Sequence, residues 1–190
     1  MQVPRTFAAV IVLVLVAFDL RAANQLVNPN FTTDLSGWTP DYWAISWTGS
    51  EGNLGPGALR AVATSAGPPI GARAASQCTT AVDGIAYDFG GAFKIEPNST
   101  QTGAARLRVT WFSGAACSGT PTIGGNADPT SVAGWQALAV EDEVAPAGTQ
   151  SAMVELIQTV DGPGDFIAYW DDIFFGSDPT PVELQSLSIE

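Results

Sequence analysis

The chain has 190 residues, 46% of them apolar, with 7 basic and 19 acidic residues, two cysteines and no histidine. That length suits one domain with a buried core. A net charge of −12 excludes the clustered Lys and Arg that nucleic acids and anionic membrane surfaces require, and the absence of histidine removes the commonest general base.

Residues 1–22 read as a signal peptide. One positive charge at Arg5 precedes the unbroken apolar run Phe7 to Phe18, and the small residues Ala22 and Ala23 follow. The run is 12 residues long, short of the roughly 20 needed to span a bilayer. Export is therefore expected, to a secreted, periplasmic or cell-surface location. Loss of this segment removes Arg5, Asp19 and Arg21, which leaves 5 basic and 18 acidic residues.

Residues 23–176 alternate between polar and apolar, with Gly, Pro, Asn, Asp and Ser clusters between the runs. The predicted strands are Gln25–Phe31, Tyr42–Thr48, Leu59–Thr64, Ser76–Val82, Ile85–Ile95, Ala105–Ser113, Trp135–Val140, Ser151–Thr159 and Phe166–Phe175. About nine strands with period-2 patterning predict an all-β antiparallel sandwich, a jelly roll. The Gly-, Thr- and Pro-rich stretch Ser118–Ala133 reads as a long loop, and residues 177–190 as a tail or linker. In an exported chain the even pair Cys78 and Cys117 reads as a disulfide. It would stabilise the fold by about 4 kcal/mol in the chain-entropy account.

Asn28-Pro29-Asn30-Phe31 followed by Leu35-Ser36-Gly37-Trp38, and Ala168-Tyr169-Trp170-Asp171-Asp172-Ile173 at the far end, resemble the opening and closing strands of carbohydrate-binding-module-like jelly rolls. These belong to the galactose-binding-like domains of secreted bacterial proteins. Gly134-Trp135 and Ala145-Pro146-Ala147-Gly148 fall between them in the expected order. The resemblance implies core positions for Trp38 and Trp135. It also implies a structural Ca²⁺ joining the last strand to the first, held here by Asp171 and Asp172. Relatives often place an acid directly after the Phe; this chain has Thr32, and Asp34 is the available substitute. Two adjacent acids in the apolar run FIAYWDDIFF call for compensation in any case.

No pair of carboxylates is set apart as a glycosidase pair, so a non-catalytic binding module is expected rather than an enzyme. Sugar recognition takes aromatic rings with polar groups beside them. Tyr42, Trp43 and Trp47, in the polar stretch TPDYWAISWTGS, are the candidate platform for a carbohydrate or surface glycan; Arg108 and Glu155 are the candidate hydroxyl contacts. The competing expectation is a structural or surface-interaction domain whose aromatics only pack. Asn30-Phe31-Thr32 and Asn98-Ser99-Thr100 match the N-glycosylation pattern, which a bacterial source would leave unused.

Overall fold

The computed structural model describes residues 23–64, 72–97, 99, 103–128, 134–160 and 163–177. The expected signal peptide and nearly all of the expected tail lie outside these residues. Ten strands form: β1 (Thr39–Pro40), β2 (Ala44–Thr48), β3 (Ala58–Thr64), β4 (Ala72–Thr80), β5 (Ala86–Ile95), β6 (Gly103–Gly114), β7 (Ser118–Ala127), β8 (Gln136–Val144), β9 (Ser151–Val160) and β10 (Asp165–Ser177). They build two five-stranded sheets, a front sheet in the order β1-β4-β9-β6-β7 and a back sheet in the order β2-β3-β10-β5-β8. Every strand pair is antiparallel.

The expected alternation decides what is buried between the sheets. On β6, Ala105, Leu107, Val109 and Trp111 are buried, and on β9 Ala152, Val154 and Leu156 are buried. From the back sheet come Leu59, Ala61 and Ala63 of β3 and Phe166, Ala168 and Trp170 of β10. Parity then changes along β10. A bulge lies between Asp171 and Phe174, with Asp172 at φ 49°, and beyond it Ile173 and Phe175 take the core positions. An extra residue in one strand shifts the alternation in this way.

Two expected elements differ. Gln25–Phe31 is not a strand, although Leu26 and Phe31 reach the core. Asn28 and Phe31 have positive φ, of 48° and 44°, and Pro29 has no N–H, so a ladder cannot run through. Individual bonds hold the segment instead: Gln25 N donates to Phe175 O (2.8 Å), Ile173 N to Pro29 O (2.9 Å), and the buried Gln77 amide pairs both ways with the Val27 backbone.

The predicted loop after Cys117 is in fact strand β7 as far as Ala127, paired with β6. Ala116 and Cys117, at φ 54° and 55°, form a left-handed hairpin turn that suits the twist of two antiparallel strands. Gly124 lets β7 close against the indole of Trp111: a Cβ there would lie 2.4 Å from Nε1. Trp38 and Trp111 are core residues, whereas Trp135 is only half-buried at the start of the edge strand β8.

Cys78 and Cys117 are joined in a disulfide. It ties the β6–β7 turn to β4 across β9, which lies between β4 and β6 in the front sheet. The Cys117 amide is fixed as well, donating to Ser151 Oγ at 2.9 Å.

Candidate functional site

The outward face of the front sheet carries a groove of about 570 Å³. Residue parity puts its floor together. β9 sends Val154 and Leu156 inward, so Glu155 faces outward; the register sets it opposite Arg108 on β6 and Ser76 on β4. A register shift on β4 between Arg73 and Ala75 brings Arg73 within reach of the same carboxylate. One wall holds Asp41 and Tyr42, and the other Phe112, Pro121 and Ile123.

Glu155 is the centre of this arrangement and is only 2% exposed. Arg108 grips it bidentately, Nε to Oε2 at 2.8 Å and Nη2 to Oε1 at 3.2 Å. Thr110 Oγ1 donates to Oε2 at 2.6 Å, and Arg73 Nη1 donates to Oε1 at 3.3 Å. Four donor atoms from the two flanking strands, β4 and β6, thus satisfy a charge that would otherwise be costly to bury. Arg73 also donates through Nε to Asp41 on the rim. The result is a rigid polar floor whose side chains are fixed before any ligand arrives.

The three candidate aromatics separate. Tyr42 is 51% exposed on the groove wall and stands edge-on to Trp43, with ring centroids 4.8 Å apart and planes at 89°. Trp43 is 5% exposed, and its Nε1 donates to the carbonyls of Ala72 and Gln158, both at 3.1 Å. The chain crosses there from the front sheet to the back sheet, and Trp43 fills the gap. Trp47 is 41% exposed but belongs to the back sheet, on the face it shares with its register partner Leu59. Its Nε1 donates to Phe31 O at 2.6 Å, and its ring lies over Gly49. Burial and sheet membership therefore leave Tyr42 as the one member of the expected platform that faces the groove.

The sequence-level candidates Tyr42, Arg108 and Glu155 do converge. Arg73, Asp41 and Thr110 were missed, as was the apolar wall from β7. Arg73 sits in ARAAS, where alternation alone ranks it as a solvated position; Pro121 and Ile123 were hidden once their strand was read as a loop.

The expected Ca²⁺ ligands are not brought together, and no group of three or more acidic or thiol side chains able to hold a metal occurs among the described residues. Asp34 forms its own turn: Oδ1 accepts from Ser36 N at 2.9 Å and from Asn28 Nδ2 at 3.1 Å, and the Ser36 hydrogen bonds hold its carboxyl below the usual range. Asp171 lies under the loop between β2 and β3, 2% exposed, with Oδ2 accepting from Asn53 N at 2.7 Å and Oδ1 from Asp172 N at 2.8 Å. Asp172 Oδ2 accepts from Asn53 Nδ2 at 2.9 Å. A hard cation takes six to eight oxygens, whereas these carboxylates face N–H donors, so the residues as arranged do not fit Ca²⁺. Burial pushes the Asp171 carboxyl up to about 6, against the pull of the two amide donors.

No protein-family model and no curated protein sequence matches the chain. Solved structures do. A family 16 carbohydrate-binding module aligns at TM-score 0.58 and 17% identity, over 80% of this chain and 99% of that one. The family 22 module and glycoside hydrolase of Clostridium thermocellum xylanase 10B, complexed with xylohexaose, aligns at TM-score 0.57 and 14% identity, over 83% of this chain and 28% of that one. The enzymatically active domain of bacteriophage CBA120 tailspike protein 4 aligns at TM-score 0.57 and 14% identity, over 81% of this chain and 21% of that one. The chain thus spans under a third of the two longer structures. At these identities the likeness is one of fold: the chain shares a two-sheet antiparallel β-sandwich with these structures.

Proposed function

We propose that this protein is an exported, non-catalytic module that binds a glycan chain along the groove of the front sheet. The observation that carries the reading is the convergence of an exposed aromatic ring, Tyr42, with the prefixed floor of Arg73, Arg108, Thr110 and Glu155. A pyranose face stacks on the ring, and the arginine N–H groups not bonded to carboxylates donate to its hydroxyls. A floor that needs no ordering on binding lowers the entropic cost of association. Both carboxylates in the groove, Asp41 and Glu155, are held by Arg73, which suits a positioning role better than an acid–base pair. The disulfide supports an oxidising, extracytoplasmic setting.

Neutral xylan and xylohexaose are suitable first probes, given the oligosaccharide bound by one structural neighbour. Wild-type protein should be retarded in a xylan-containing native gel, and Tyr42→Ala and Arg108→Lys, which keeps a positive charge beside Glu155, should each weaken binding about tenfold or more without unfolding. Equal migration of wild type and both variants across a panel of neutral plant and microbial glycans would defeat the proposal.

A further inference from the structure

The charged side chains that line the groove pair with one another. These four are Asp41, Arg73, Arg108 and Glu155, two of each sign, and every one bonds to another. Among the described residues the rest of the surface offers no substitute. Arg60 pairs with Glu96 at 3.2 Å, Lys94 with Glu51 at 2.7 Å, and Arg106 with Asp128 at 2.7 Å. Every basic residue among the described ones is thus engaged, in a chain of net charge −12.

Resting on the glycan reading above, we infer that the groove selects neutral glycans and rejects chains that bear uronate or sulfate groups. A ligand carboxylate gains little from Arg108 or Arg73 while both are held by Glu155. Drawing either away would leave Glu155 buried beside fewer counter-charges, which is the expensive direction. The chain as a whole carries a net charge of −12, so approach of a polyanion is disfavoured as well. The arginines are left to act through neutral hydrogen bonds, and the buried glutamate makes them selective by occupying their charge.

The test compares neutral xylan with polygalacturonate at low and high salt, using wild type, Glu155→Gln and the rim variant Asp41→Asn. Wild type should bind xylan with little salt dependence and polygalacturonate at least about tenfold more weakly. Each variant leaves one positive charge uncompensated in the groove and should gain polygalacturonate binding that high salt suppresses. If Glu155→Gln fails to fold, Asp41→Asn, altered at an exposed position, carries the test. Wild type binding both polymers alike overturns the inference and leaves the glycan reading standing, as does the absence of any gain in a folded variant. Wild type binding neither polymer, nor any neutral glycan of the panel above, overturns both.

Discussion

Asp171 gives the chain a specific pH signature. Its carboxyl is almost fully buried under the β2–β3 loop and is pushed up to about 6 from an ordinary 3.8, chiefly by burial. A group whose folded pKa lies above its unfolded one takes up a proton on folding between the two values. Its stabilising contribution is complete below about 4 and is lost as pH rises through 6. Holding the carboxyl at about 6 instead of 3.8 corresponds to about 3 kcal/mol in full. Other carboxylates titrate in the same range, so the informative quantity is a difference. Asp171→Asn keeps an acceptor for Asn53 N but carries no charge, and chemical denaturation of both proteins at pH 4, 5, 6 and 7 isolates the contribution of this carboxyl. Wild type should lose about 2 kcal/mol relative to the variant between pH 4 and pH 7, most of it between 4 and 6. Added Ca²⁺ or EDTA should leave both curves in place, because the oxygens face N–H donors. A flat difference, or one that rises with pH, would refute the burial argument; a melting temperature raised by Ca²⁺ would refute the fit argument and restore the cation.

Three further outcomes are expected. Replacing both cysteines with serine should destabilise the protein by about 4 kcal/mol, from a closed loop of 39 residues, and a thiol titration of the intact protein should find no free cysteine. Trp43→Ala should cost about 3–5 kcal/mol in urea denaturation, through a cavity and two orphaned carbonyls, where Tyr42→Ala costs far less; equal losses would argue against the division of labour between them. Gln158→Met should hold or raise stability by about 1–3 kcal/mol, since Gln158 is fully buried and neither its Nε2 nor its Oε1 has a partner; a clear loss would show that the amide is satisfied in solution.

The sheets were legible because alternation is a direct readout of which face is buried, and on β6 and β9 it also sent Arg108 and Glu155 to a shared outward face. What was not legible came from contacts between residues distant in sequence. β7 was missed because its Gly, Pro and Asn residues have low intrinsic strand preference; its place is set by β6 and by the room Gly124 leaves for Trp111. Trp43 and Trp47 share a parity, yet the crossing between sheets buries the first and places the second on the far side. Arg73 could not be assigned to the groove without the irregularity on β4. Asp171 and Asp172 were rightly singled out as anomalous, but the sequence has no means of showing that Asn53, more than a hundred residues earlier, supplies the compensating N–H groups.

The disulfide has a mechanical consequence. Its 39-residue loop contains all of β5 and β6, one inner strand from each sheet. A module that grips a fixed polymer through its groove and is tugged from the ends of its chain cannot release those strands into extension. At about 3.4 Å per residue, roughly 130 Å of contour stays locked behind the cross-link. Arg108, Thr110 and Phe112 of the groove lie inside the locked segment and are shielded from the load, and a pulling experiment should find the unfolded length longer by that amount once the bond is reduced.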